Sequence, residues 1–418
     1  MTRLPSLTGL RFPCAMAVFL AHAWWVPELF ASETARSAVL PVLPFAMTGV
    51  SCFFVISGFV LTWSAREDDT PRAFWRRRAA KIYPSHVLVW VALLIFLLAL
   101  GADPIGEDRE GSLPWLAVLT NLFLVHSWSP DWRFTAGVNI VTWSLTVEVF
   151  AYALLPLLLR VLRRVRPERL WAVAGVTVAV IWAVPLAVLP LGGENVPEVD
   201  VPRWHFWLPY MFPLARLPEF VLGAVLALLL RSGRRAPVGM TGAAGLIFVS
   251  LSAGAALLPF PFLPVAVTAV PVGLLVMAAA AADVSGGRSW LRRPVPEFLG
   301  RISFTFYLVH WPVILVLDRL WGRREWPVPQ ALGMTVLFAA GSLVAAWLLH
   351  RTVEVPLTRR LAARPRPLPG APHDDDRHRA SPAPDPARGV HPPRTAQVPL
   401  PEPDGGRARR DGGPARRT

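Results

Sequence analysis

The strongest constraint on this chain is a succession of apolar stretches, each about twenty residues long and almost free of charge. A stretch of that length crosses a bilayer as an α-helix, and its unbroken hydrophobicity argues against the alternating pattern of a β-barrel. Hydropathy places about ten spans, at 7–25, 45–64, 83–101, 142–161, 169–190, 208–231, 239–258, 262–282, 303–321 and 330–350. With 54% hydrophobic and 17% charged residues, the chain carries too little charge for a water-soluble domain. The expected fold is all-α: a polytopic membrane protein with about ten transmembrane helices around a central pore. No small-residue cleavage site follows the first apolar run, so that run is expected to remain as a helix.

Charge sets the expected orientation. Basic loops occur at Arg76–Arg78, Arg160–Arg169, Arg231–Arg235, Arg288–Arg301 and after Arg351, whereas Asp103–Glu110 and Glu194–Asp200 are acidic or neutral. Placing both termini in the cytoplasm puts the five basic loops inside; the loop Gly322–Glu325 is a mild exception. The net charge of +14 is then a topological signal, and no nucleic-acid partner is expected. This parity requires that Leu113–Trp128 not cross; the stretch is short and runs into Ser129-Pro130-Asp131, so it reads as re-entrant or interfacial. Residues 1–362 form the membrane domain. Residues 363–418, rich in Pro, Arg, Asp and Gly, are expected to be a disordered cytoplasmic tail. Cys14 and Cys52 lie in spans without disulfide or metal spacing.

Ionisable groups inside spans are costly, and chains keep them where they face a cavity or a partner. The first span carries Arg11 and His22, three helical turns and about 16 Å apart on nearly one face. His22 is a candidate catalytic base and Arg11 an anion or orientation group; an interfacial histidine beside Trp24 and Trp25 is the other reading. Phe74-Trp75-Arg76-Arg77-Arg78-Ala79-Ala80-Lys81 opens the third span. Arg78 and Lys81 share a helix face there, suited to phosphate or simply to orientation. Trp143-Ser144-Leu145-Thr146-Val147-Glu148 opens the fourth span, where Glu148 is expected at a depth similar to that of His22 and able to orient its ring. Arg216 and Glu219 put opposite charges three residues apart in the sixth span, as an ion pair that could also line the cavity. Ser303, Tyr307 and His310 fall on one face of the ninth, to contact substrate or to bond between helices. No metal-ligand pair, phosphate loop or nucleophile elbow stands out.

Taken in order, these residues resemble the acyltransferase-3 family of integral membrane O-acyltransferases, over about residues 4 to 355. Leu7-Thr8-Gly9-Leu10-Arg11 with His22 is similar to the family's opening Arg-x10-His motif. Phe53-Phe54-Val55-Ile56-Ser57-Gly58-Phe59 is similar to its second-helix signature. Arg78-Ala79-Ala80-Lys81 stands where the family has Arg-x-x-Arg, with Lys81 replacing the second arginine. Ser51 stands where many members have Asp. Trp143 and Ser144 with Glu148, Arg216 with Glu219, and Ser303 through Pro312 match further motifs.

The resemblance implies transfer of an acyl group, usually acetyl, from acyl-CoA as co-substrate, with no tightly bound cofactor. The acceptor would be a hydroxyl of a sugar, a cell-envelope glycan or a macrolide-type natural product. It implies His22 as catalytic, with Glu148 and Arg11 in support. Arg76, Arg77, Arg78 and Lys81 would bind CoA, and Trp143, Ser144, Arg216, Glu219, Ser303, Tyr307 and His310 would line the substrate path. Some members carry a fused extracytoplasmic esterase-like domain; its absence from this sequence implies direct transfer or a separate partner protein. A multi-pass protein of the plasma membrane is expected. A transporter or flippase is the alternative, disfavoured by the lack of an internal repeat.

Overall fold

The computed structural model describes residues 3–25, 28–66, 69–100, 115–196, 200–322 and 324–362. They form α1 (Pro5–Trp25), α2 (Glu33–Val39), α3 (Val42–Ser64), α4 (Pro71–Leu100), α5 (Trp115–Leu122), α6 (Trp132–Ala136), α7 (Trp143–Leu162), α8 (Leu170–Val188), α9 (Arg203–Tyr210), α10 (Pro213–Arg231), α11 (Met240–Leu257), α12 (Ala266–Val284), α13 (Pro294–Leu320), α14 (Val328–Leu349) and α15 (Val355–Ala362). Two-residue strands, β1 (Asn195–Val196) and β2 (Val201–Pro202), pair antiparallel between α8 and α9. Among the described residues, ten helical segments are long and apolar enough to cross a membrane. Each coincides with an expected span, so the all-α polytopic fold holds. The expected tail and the loop 103–110 lie outside the described residues.

Several helices outrun their apolar spans. The 30 residues of α4 make about 45 Å of helix, against a hydrocarbon core of roughly 30 Å. Its first turns, which hold Arg72 and Arg76–Arg78, therefore extend beyond the lipid-crossing part, where hydropathy is blind. By contrast, the 8-residue α5 is about 12 Å long and cannot cross. Leu124, at φ 56, ends it in the left-handed region, and the Val125 amide returns to the Thr120 carbonyl. That segment stays on one side, as the charge parity requires.

The inner bundle is α1, α3, α10, α12 and α13; 72% of the apolar window of α13 is buried, against 17% for α11. Backbones meet where side chains vanish. A Cβ on Gly58 would stand 1.9 Å from the Phe220 carbonyl oxygen, and one on Gly223 would stand 2.0 Å from that of Val55. α3 and α10 therefore touch backbone to backbone. Prolines within helices serve a different purpose. Each removes the donor for the carbonyl four residues earlier. Pro84 frees the Ala80 carbonyl, which accepts from Thr358 Oγ1 at 3.2 Å. Pro156 frees that of Tyr152, which accepts from Trp75 Nε1 at 3.1 Å. Pro312 frees that of Leu308, which accepts from Asn139 Nδ2 at 3.2 Å. In each case a side chain of another segment takes the released acceptor, so a proline becomes a polar tie between elements.

A single central pore is not seen among the described residues. Space among the described residues is divided into separate cavities.

Candidate active site

α1 and α13 pack side by side, with a Cβ on Gly300 only 1.9 Å from the Thr8 carbonyl oxygen. This close approach brings His22 to His310, whose Nε2 lies 3.1 Å from His22 Nδ1. On its other side, His310 donates from Nδ1 to the Tyr307 carbonyl at 2.6 Å. His310 is fully buried, stacked on Phe306 and met edge-on by Phe19; Trp311 meets the His22 ring edge-on, with centroids 5.7 Å apart. His22 opens onto a cavity of about 110 Å³, otherwise walled by apolar and aromatic groups that include Val18, Trp143, Phe206, Tyr210 and Trp311.

Tyr307 and Val50 form part of that wall and also part of a second, smaller chamber of about 30 Å³. Arg11, Ser144, Glu148 and Ser303 line the second chamber. Ser144 Oγ contacts the Tyr307 hydroxyl at 2.9 Å, and that hydroxyl donates to the Val141 carbonyl at 3.2 Å. Arg11 lies against the Phe53 ring at 5.8 Å. Its Nε and the Ser303 hydroxyl are buried without a hydrogen-bond partner. Both residues line that chamber, and buried unsatisfied donors are costly unless a ligand or water meets them.

A third cavity, of about 720 Å³, lies where the end of α3, the start of α4 and the end of α7 meet. Arg66, Arg76, Arg77, Arg78, Arg160 and Arg163 line it, opposed among the described residues by Asp69. The Nε atoms of Arg76 and Arg78 are buried and unpartnered. Arg78 also leans on the rings of Phe74 and Tyr152, each at 5.9 Å. The Tyr152 hydroxyl donates to Glu148, which also accepts from Ser57 Oγ at 2.9 Å. Contacts thus link Arg78 of the arginine cavity through Tyr152 to Glu148, which lines the Arg11 chamber, and Tyr307 lines both that chamber and the one beside His22.

The structure places the expected residues unequally. Ser303, Tyr307 and His310 do share the inward face of α13, and Trp143 and Ser144 line the chambers. Glu148 is not the partner of His22: it turns towards α3 and the arginine end, and His310 takes that position. Equal depth on two helices does not fix the direction in which either side chain points. Arg216 and Glu219 pair at 3.0 Å with both side chains wholly enclosed, and neither lines the chambers described. Arg216 instead lies over Phe54 and Tyr210 and bonds Ser51 Oγ at 3.3 Å, supporting the wall from behind. Arg77 is at the basic cavity but already paired with Asp69. Lys81 does not line that cavity; buried Glu354, which also bonds His350 at 2.9 Å, captures it. Arg160 and Arg163 were readable only as orientation charges, and Arg66 carried no signal of its own, because their convergence depends on how three helix ends meet.

Ten helical segments long and apolar enough to cross a membrane, with ionisable side chains lining cavities among them, define a multi-pass membrane protein. A family model for an acyltransferase domain, Acyl_transf_3, matches residues 4–351, and the chain belongs to that family of membrane acyltransferases. It is 40% identical over 380 residues to acyltransferase MdmB of Streptomyces mycarofaciens, covering 88% of this chain and 95% of that protein. It is 29% identical to the exopolysaccharide production protein ExoZ of Rhizobium meliloti, covering 76% and 90%. With the O-acetyltransferase OatA of Staphylococcus aureus it shares 21% identity over 85% of this chain and 57% of that one. No solved structure matches.

Proposed function

We propose that this enzyme moves an acyl group, acetyl in the first instance, from acyl-CoA to an acceptor hydroxyl. The observation that supports this most is that the chamber lined by Arg11, Glu148 and Ser303 shares Val50 and Tyr307 with the chamber lined by His22, while a separate cavity gathers six arginines. The phosphates of CoA would dock on Arg76 and Arg78, with Arg66, Arg160 and Arg163 around them. The thioester arm would follow Tyr152 and Glu148 inward to Arg11. At the junction, His22 takes the proton of the acceptor hydroxyl as its oxygen attacks the thioester carbonyl. Arg11 and Ser303 would hold the tetrahedral oxyanion. Collapse expels the CoA thiolate, and His22 returns the proton to sulfur, so the transfer is proton-neutral.

The apolar and aromatic lining beside His22 favours an acceptor with an apolar face, such as a macrolide-type natural product, over a densely hydroxylated glycan. ExoZ and OatA, by name an exopolysaccharide production protein and an O-acetyltransferase, keep sugars and envelope glycans in the test panel. The basic cavity faces the cytoplasm, both termini lie there, and the plasma membrane is the site of action. The test is purified protein in vesicles with radiolabelled acetyl-CoA and a panel of macrolide and glycan acceptors. Label should appear covalently on an acceptor and vanish in His22→Ala. Solute flux without covalent change would refute the reading in favour of transport.

A further inference from the structure

We propose that His310 is a positioning residue that fixes the tautomer of His22, holding the proton on Nδ1 and presenting the lone pair of Nε2 to the acceptor. This rests on the assignment of His22 as base. The reasoning begins at the Tyr307 carbonyl, which can only accept. His310 Nδ1, 2.6 Å away, must therefore carry a hydrogen. Among the described residues neither ring has a carboxylate as hydrogen-bond partner, and burial without one favours two neutral rings. In neutral His310 the remaining nitrogen, Nε2, is then an acceptor. Its neighbour at 3.1 Å, His22 Nδ1, must be the donor. The second nitrogen of His22, Nε2, is left with its lone pair on the ring that lines the chamber.

The opposite tautomer would set two lone pairs against each other and forfeit the bond. Rotation out of register is blocked as well. Phe306 and Phe19 enclose the His310 ring, with centroids 6.2 and 6.3 Å away, and Trp311 flanks His22. α13 is itself anchored beside this point, because Pro312 leaves the Leu308 carbonyl to accept from Asn139. The chain of control is a backbone carbonyl, one imidazole, then the second. A carboxylate would impose the same tautomer but would also favour the charged ring. A neutral imidazole selects the nitrogen without adding charge to an apolar site.

The first test needs no acceptor. Protein labelled with ¹⁵N-histidine is placed in lipid nanodiscs near neutral pH, with His22 assigned by its absence in His22→Ala. Its Nδ1 should carry the proton and Nε2 should be bare. The reverse assignment in the wild-type protein overturns the proposal. His310→Gln keeps an acceptor oxygen near the place of Nε2 and should preserve the tautomer, whereas His310→Leu should lose it. In acetyl transfer from acetyl-CoA, His310→Leu should lower kcat about 100-fold, the lower range of general-base contributions, with KM for acetyl-CoA unchanged. His310→Gln should recover at least about tenfold of that loss. If His22→Ala is inactive while His310→Leu keeps the wild-type kcat, this proposal fails and the base assignment stands. If His22→Ala is fully active, the base assignment itself fails.

Discussion

Replacing Arg78 by Gln tests whether the arginine cavity reads the phosphates of the donor. Arg78 lines that cavity, has a buried unpartnered Nε, and among the described residues has no carboxylate bonded to it. Arg77, by comparison, is already paired with Asp69. A hydrogen bond to a charged group contributes about 1.5–3 kcal/mol, and a cavity of about 720 Å³ at a helix-end junction admits water, which argues for the lower figure. About 1.5 kcal/mol corresponds to roughly a tenfold rise in KM for acetyl-CoA. Because the phosphates are remote from the reacting carbonyl, ground state and transition state lose the contact equally, and kcat should stay within about threefold. Initial rates in nanodiscs with acetyl-CoA and with acetyl-pantetheine, which lacks the nucleotide phosphates, separate the cases. The truncated donor should be equally poor for wild type and Arg78→Gln. Raising ionic strength should weaken acetyl-CoA binding more in wild type than in the variant. An unchanged KM for acetyl-CoA, or an equal loss with acetyl-pantetheine, would refute phosphate docking there.

Other expectations concern stability and route. Arg216→Met alone strands a buried Glu219 carboxylate and should destabilise by about 3–5 kcal/mol in reversible denaturant unfolding. Adding Glu219→Leu should restore much of that, and no restoration would mean the pair is not an isolated unit. Gly58→Leu should abolish the folded protein as judged by size-exclusion profile, because its side chain would have to occupy the Phe220 backbone. Glu148→Ala, which leaves the Tyr152 and Ser57 hydroxyls without their acceptor, should cost about 1–3 kcal/mol and leave the His22 tautomer untouched. A changed His22 tautomer in that variant would restore Glu148 as its partner.

Much of the fold is legible because lipid imposes a simple rule: every crossing segment must be long, apolar and helical. The ten spans and the non-crossing segment before α6 follow from that rule and from charge parity. Helix ends were less legible. Arg72 to Lys81 continues α4 for ten residues outside the apolar run, and hydropathy has nothing to say about a charged helix in water. Within the site, the face shared by Ser303, Tyr307 and His310 could be read, since helical period alone sets it. The partner of His22 could not. His22 and His310 are 288 residues apart, and their contact depends on Gly300 letting α13 close on α1. Lys81 shows the same limit from the other side. Its spacing from Arg78 suits an anion, yet Glu354 of the last helical segment neutralises it.

The division of the interior bears on how a thioester avoids water. The Arg11 chamber, at about 30 Å³, is the smaller of the two, and Tyr307 lines both it and the His22 chamber. On the proposed route a donor arm would pass the Tyr307 hydroxyl, which Ser144 and the Val141 carbonyl hold. Delivery would then require that hold to break, and a donor that breaks it would open the path only when it is there to fill it. Tyr307→Phe removes the hydroxyl but leaves the ring, so it should loosen the barrier without emptying the wall. The expected result is a several-fold rise in acceptor-independent hydrolysis of acetyl-CoA, with transfer to the acceptor reduced less than hydrolysis is raised. Measuring thiol release with and without acceptor reads both rates in one experiment. Unchanged hydrolysis in Tyr307→Phe would show that the hydroxyl contacts do not hold the two chambers apart.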